Sequence, residues 1–115
     1  MKTKATAAII AAIAAANPAG FTVNAQTLEP ITAGYAVAVL DTQDSFNTEG
    51  AERVVNYINS RDDINAVGGW YDSESGRYYY DATIVVNDLE TAVQLGKANK
   101  QIAVFNLNKM EEIRL

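Results

Sequence analysis

The chain has 115 residues, of which 49% are hydrophobic, and this size and composition predict a single domain over residues 1–115. The formal net charge of −5 and the lack of any basic run argue against nucleic-acid binding through phosphate contacts. The sequence has no cysteine and no histidine, which excludes disulfides, thiolate chemistry, Ser-His-Asp catalysis and His-ligated zinc. We therefore predict no catalytic residues, no metal site and no cofactor.

Residues 1–16 are rich in alanine and fit two interpretations. Two lysines, an apolar run and small residues near Ala25 match the outline of a secretory signal peptide cleaved after Ala25. Alanine is also the best helix former, and Ile9, Ile10 and Ile13 share one helical face. The run is too short for a membrane span. We favour a retained N-terminal helix in a cytoplasmic protein without membrane contact, with secretion as the alternative.

The next part of the chain predicts short strands separated by loops. In chain order these are a strand at 21–23, a loop at 26–33, a strand at 34–40 and a polar, turn-rich stretch at 41–48. Because the strand at 34–40 is almost continuously apolar, we expect it to be central and covered on both sides. A helix follows at 49–60, with Thr48 as its N-cap.

Two further strands, at 66–71 and 77–86, predict a hairpin. The connection at 72–76 is strong turn chemistry, and Gly76 supplies its left-handed residue. Alternate side chains of a strand point to opposite faces. We therefore assign to the core face Tyr78, Tyr80, Ala82, Ile84 and Val86. To the other face we assign Tyr79, Asp81, Thr83 and Val85.

A third helix follows, capped by Asn87 or Asp88, and then a strand at 101–107 and a short pairing segment at 112–114. The predicted buried face of this helix consists of Leu89, Ala92, Val93 and Gly96. From residue 34 onward the order is β-α-β-β-α-β, that of a ferredoxin-like sandwich. The expected fold class is α+β, an antiparallel sheet with helices packed on it and an extra helix and strand at the N-terminus.

The most unusual local sequence is Gly-Gly-Trp-Tyr at 68–71, opposite Tyr-Tyr-Tyr-Asp at 78–81 in the predicted hairpin. Paired glycines in a strand often mark a bulge or the close approach of a ligand or another chain. Amphipathic aromatic residues are favoured in binding hot spots and can stack on bases. The candidate binding residues are Trp70, Tyr71, Asp72, Tyr79 and Asp81. The competing interpretation is that these aromatics are cross-strand pairs and core packing.

Other chemical motifs are incomplete. The oxygen-bearing side chains of Asp41, Asp44 and Asn47 lack the glycine and distal glutamate of a calcium loop. No glycine stretch completes a phosphate-binding or dinucleotide-binding motif.

Several short stretches, taken in order, resemble a set of small bacterial, plasmid and phage proteins without assigned activity. They are Asn-Pro-Ala-Gly-Phe-Thr at 17–22, Gly-Tyr-Ala-Val at 34–37, Gly-Gly-Trp at 68–70, Tyr-Tyr-Asp at 79–81 and Gln-Ile-Ala-Val-Phe at 101–105. The chain departs from that set at Asn106, where aspartate is more common. The resemblance implies a mobile-element accessory protein with its N-terminal segment retained, and it carries over no activity.

Small size, acidity, missing catalytic residues and the aromatic hairpin favour a non-enzymatic protein-interaction or inhibitor protein of phage or mobile-element type. Its partner would be another protein, and the sequence leaves the oligomeric state open. One alternative is a small-ligand or nucleotide-binding module that uses Trp70 and Tyr79 as stacking faces, which a deep pocket at the hairpin would favour. The other is an enzyme using carboxylates and tyrosines, which needs a carboxylate of raised pKa in a cleft.

Overall fold

A computed structural model describes residues 6–115, and within them seven antiparallel strands form one open sheet with three α-helices packed on it. The elements are α1 (Ala7–Ala16), β1 (Phe21–Asn24), β2 (Tyr35–Ala38), a 3₁₀ turn (Leu40–Thr42), β3 (Ser45–Phe46), α2 (Asn47–Asn59), β4 (Ala66–Asp72), β5 (Arg77–Val86), α3 (Leu89–Ala98), β6 (Ala103–Asn106) and β7 (Glu111–Arg114). The predicted α+β fold class is confirmed.

The strands lie in the order β1-β4-β5-β2-β6-β7, and the two-residue strand β3 also pairs with β5. The inner four, β4-β5-β2-β6, have the order of the predicted βαββαβ sandwich. Strands β1 and β7 extend its two edges. The first helix and strand are thus additions to this central unit, as the sequence predicts.

The predicted hairpin forms with a continuous register, from the pair Ala66–Thr83 to the pair Asp72–Arg77. Gly76 takes the predicted left-handed conformation, with φ of 70°, and its N–H donates to the Asp72 carbonyl at 2.8 Å. The ladder runs through Gly68 and Gly69 without a bulge. A bulge therefore does not explain the paired glycines, and the contacts around each of them do.

The core lies between the sheet and the helices in two clusters. The larger one, under α1 and α2, includes Ile10, Val54, Ile58, Val67 and Tyr80. The smaller one lies under α3 and consists of Val37, Ala92 and Val104, with Val86, Leu95 and other partly buried residues packed against it. As predicted, β5 contributes Tyr78, Tyr80, Ala82 and Ile84 to the larger cluster and Val86 to the margin of the smaller one.

Helix α1 packs as part of the domain from Ala7 onward. The predicted helix also included residues 1–5, which lie outside the described residues. Ile10 is fully buried, whereas Ile9 is 39% exposed, so the predicted three-isoleucine face is wrong at Ile9. The buried stripe continues through Ala14 instead. The hydroxyl of Tyr78 donates to the carbonyl of Asn17 at 2.8 Å, which joins the end of α1 to the hairpin.

Three further local predictions are wrong. Helix α2 begins at Asn47, one residue before the predicted cap Thr48, and has no side-chain cap. The polar stretch at 41–48 contains β3, because Ser45 and Phe46 pair with Tyr80 and Tyr79 of β5. Helix α3 is capped by Asp88 as predicted. Its first residue, Leu89, is 43% exposed, and Val93 is only half-buried. Leu95 packs on the core in their place.

Two helical glycines allow close contact with the sheet. A Cβ at Gly96 would lie 2.8 Å from Val104 Cγ1 and 2.7 Å from Leu115 Cδ1. A Cβ at Gly50 would overlap the main-chain carbonyl carbon of Ser45. Strand β3 is therefore held directly against the backbone of α2.

We expect Gly50→Ala to lower the free energy of unfolding by about 2–3 kcal/mol, because main chain cannot move aside as a side chain can. This loss outweighs the gain of about 1 kcal/mol that alanine brings to a helix. Urea denaturation of the variant measures it, with Gly96→Ala as the matched control. The control meets only side-chain atoms and should lose less. Wild-type stability of Gly50→Ala would contradict the close packing of β3 on α2.

Candidate functional site

The sheet face opposite the core carries a groove whose floor is made of small residues. Ala36, Ala38, Gly68 and Ala103, from the three strands β2, β4 and β6, all lie along it. The cavity has a volume of about 730 Å³ and extends from this floor to the edge strand β1 and the end of α1. A second cavity of about 330 Å³ adjoins it and shares Trp70 and Asp81 as lining residues. We call the part of both cavities over the open sheet face the groove.

The two glycines of β4 serve opposite faces of the sheet. A Cβ at Gly69 would overlap the Phe21 ring and lie 2.8 Å from Tyr78 Cε1, so glycine there lets these two rings stack on the core side. A Cβ at Gly68 would meet only Thr83 Oγ1 at 3.1 Å and the Phe21 carbonyl oxygen at 3.8 Å. The missing side chain at Gly68 therefore keeps the groove floor low beside the Thr83 hydroxyl.

An aromatic row borders the groove. The Trp70 ring stacks on Tyr79, with centroids 5.1 Å apart and an interplanar angle of 24°. Tyr79 in turn meets the edge of Phe46 at 5.7 Å. The Arg77 guanidinium carbon lies 4.2 Å from the centroid of Phe46, at the end of the row remote from Trp70. Trp70 is 48% exposed, so its ring is available for contact.

Asp81 is the central polar group of the groove. It lies on the same face of the sheet as Tyr79, opposite Gly68 on β4, and is half-buried. Among residues 6–115 its carboxylate has no hydrogen bond and no ion pair. The Thr83 hydroxyl donates to the main-chain carbonyl of Asp81 and not to its carboxylate. Burial, and secondly the charge of Asp44, raise the pKa of Asp81 to about 6. An unpaired carboxylate of this kind costs stability and suggests a functional role.

Two more carboxylates line the smaller cavity, Asp44 before β3 and Glu112 on β7. Glu112 forms an ion pair with Arg114 at 3.0 Å, and both side chains are more than half exposed. Neither cavity has a lysine or an arginine among its lining residues. Within the described part of the chain, no group of acidic residues is arranged to hold a metal ion.

The structure brings together three of the five predicted binding residues. Trp70, Tyr79 and Asp81 share the open face and line the same cavity. Tyr71 pairs with Tyr78 on the opposite face of the hairpin. Asp72 lies at the turn, where its carboxylate accepts from the Glu74 N–H at 3.1 Å. Neither residue lines the groove, because side chains alternate along β4 and because the strand ends at the turn.

Sequence reasoning missed the residues that come to the groove from distant segments. Strand pairing places the alanines of β2 beside β5, and it places Ala103 of β6 and Glu112 of β7 farther along the same sheet. Asp44 directly precedes β3, which pairs with β5. The alternation of β2 and β6 could have indicated that Ala36, Ala38 and Ala103 share one face. Nothing local marks Asp44 or Glu112 as a neighbour of Asp81.

No family model matches the chain, and neither a curated protein nor a solved structure matches it. No helix within residues 6–115 combines the length and the apolar character that crossing a membrane requires.

We expect Trp70→Ala to lower the free energy of unfolding by only about 1 kcal/mol. The exposed ring loses its stacking on Tyr79 and little buried area. Urea denaturation followed by circular dichroism measures the effect. A loss of about 3–5 kcal/mol would instead place Trp70 among core residues and contradict its role as a groove wall.

We expect Asp81→Asn to raise the free energy of unfolding at pH 7.5 by about 1–3 kcal/mol. The reason is that folding raises the pKa of the Asp81 carboxyl from 3.8 to about 6. The sign follows from proton binding. The folded state binds this proton more tightly than the unfolded state, so ionised Asp81 destabilises the fold above pH 6. Between pH 6 and 3.8 that penalty disappears, and most of the difference between variant and wild type is lost by pH 4.5. Equal stabilities at pH 7.5 would contradict the assigned environment of Asp81.

Proposed function

We propose that this protein is a non-enzymatic binding module and that a small molecule with an apolar part occupies the groove. The observation that carries the proposal is the floor of alanines and Gly68 beside the exposed ring of Trp70. Apolar concave sites with a few polar groups are the usual form of small-ligand sites. The half-buried carboxylate of Asp81 supplies such a polar group.

The groove supports the ligand-binding alternative over the protein-interaction hypothesis, because the aromatic hairpin borders a cavity and not a flat surface. A protein or inhibitor role in a phage or mobile element rests on the sequence resemblance and on composition. Such a partner would have to cover the open face and exclude a small molecule from it.

Nucleotides are poor occupants of this groove. The lining carboxylates Asp44, Asp81 and Glu112 would repel phosphate groups, and the lining residues offer no lysine or arginine to balance that charge. The stacking faces of Trp70 and Tyr79 therefore favour a ligand that is not anionic.

Acid–base catalysis by Asp81 is the second candidate function, favoured by a pKa of about 6 inside a cleft. Catalysis also needs a second group placed to act with it. Among the described residues, no side chain is hydrogen-bonded to the Asp81 carboxylate. Binding requires only the groove, and we take binding as the function best supported by the geometry.

Titration of the ¹⁵N-labelled protein with phenethyl alcohol, a neutral aromatic probe, tests the proposal by NMR. We expect chemical-shift changes at the Gly68 amide and the Trp70 indole N–H, since both groups border the groove. Gly68→Val should weaken binding by at least about fivefold, because its side chain occupies the floor. The variant should still fold, since Gly68 does not have a positive φ.

The matched control is Ala12→Val on the exposed side of α1, which adds the same side chain away from the groove floor. It should bind as the wild type does. If phenethyl alcohol shifts no groove signal in the wild type, or if both valine variants bind equally well, the proposed function is wrong.

A further inference from the structure

The charges around the groove are one-sided. Its lining residues include the carboxylates of Asp44, Asp81 and Glu112 but no lysine or arginine. Glu112 is already paired with Arg114, and Asp44 is exposed to solvent. Asp81 is both half-buried and unpaired among the described residues, and it is therefore the carboxylate that gains most from a bound positive charge.

The groove also provides a second kind of cation-binding surface. The exposed face of an indole ring attracts ammonium and guanidinium groups, and Trp70 lines both cavities together with Asp81. A cation between them would contact an aromatic face and a carboxylate at once. The protein uses a related contact within its own fold, since the Arg77 guanidinium lies over Phe46 at the far end of the aromatic row.

We propose, on the basis of the binding function above, that the ligand is an organic cation with an apolar body. Its ammonium group lies between the Trp70 ring and the Asp81 carboxylate, and its apolar body lies along the floor formed by Ala36, Ala38 and Gly68. The aromatic wall and the apolar floor favour an amine of this type over a hydrated metal ion, which needs several convergent oxygen ligands.

Binding of this cation depends on pH through Asp81. The titratable or charged groups facing it are Asp44 from the segment before β3, Glu112 with its partner Arg114 on β7, and Tyr79 on β5 itself. An aliphatic amine remains protonated throughout the range from pH 5 to 8. Because burial holds the pKa of Asp81 at about 6, the affinity should fall as the pH is lowered through 6.

Three probes that share a phenethyl group test the charge preference: phenethylammonium, phenethyl alcohol and 3-phenylpropanoate. Trp70 is the sole tryptophan, so its fluorescence reports directly on the groove. At pH 7.5 we expect the cation to bind about tenfold more tightly than the alcohol, and the anion to bind more weakly than either. At pH 5 the advantage of the cation over the alcohol should shrink several-fold.

Asp81→Asn removes the negative charge with little change in shape. In this variant the cation and the alcohol should bind with similar affinity. The matched control, Glu74→Gln, removes one negative charge from the exposed hairpin turn and should keep the full preference for the cation.

The outcomes separate the two proposals. If phenethyl alcohol does not bind the wild type, the binding function itself is wrong. If the alcohol and the cation bind equally well to the wild type, the groove is a ligand site but the cation proposal is overturned. A preference for the cation that survives in Asp81→Asn, or is lost equally in Glu74→Gln, overturns the assignment of Asp81 as its counter-ion.

Discussion

Strand β5 is the element on which the rest of the molecule depends, because it pairs with β4, β2 and β3. Its side chains point alternately to the two faces of the sheet. One set of side chains, which includes Tyr80 and Ala82, closes the core beneath α1 and α2. The other set, which includes Tyr79 and Asp81, faces the groove. A shift of the register by one residue would exchange these sets and destroy both the core and the groove.

The two faces of the sheet differ in how densely their side chains are packed. On the core side the rings of Phe21, Tyr78 and Tyr80 lie within about 7 Å of one another, and Gly69 makes room for them. Burial there raises the pKa of Tyr78 to about 12, which keeps its phenol protonated. On the open side alanines and Gly68 leave space, and the large rings of Trp70, Tyr79 and Phe105 stand beside them. The open face is thus underpacked for stability and suited to contact with a ligand.

The ionised carboxylate of Asp81 likewise lowers the stability of the fold on the open face of the sheet. This carboxylate is half-buried and lies near Asp44, and both conditions disfavour its ionised form. A residue that only filled space at this position would be more stable as a neutral side chain. Loss of stability at a groove is a common cost of a group retained for function. The unpaired carboxylate therefore links the stability of the fold to the ligand that we infer.

The sequence was informative wherever local chemistry decides structure. Period-2 alternation and the turn at 72–76 predicted the hairpin and its faces, and α3 is capped by Asp88, one of the two residues expected to cap it. Predictions that depended on helical periodicity alone were less accurate. Ile9 and Leu89 lie at helix positions that the neighbouring elements do not cover, although each fits an apolar stripe.

The sequence by itself determined the fold class and the antiparallel hairpin, and it placed Trp70, Tyr79 and Asp81 among five candidate residues, since cross-strand pairing follows from a tight turn. Tertiary structure alone decided that Gly68 opens a groove while Gly69 admits two rings, and that Asp44 and Glu112 approach Asp81. These features arise from contacts between segments far apart in the chain. The distances between these segments depend on how the strands pair and on which sheet face the helices leave uncovered. No local sequence pattern encodes the strand pairing or the uncovered face.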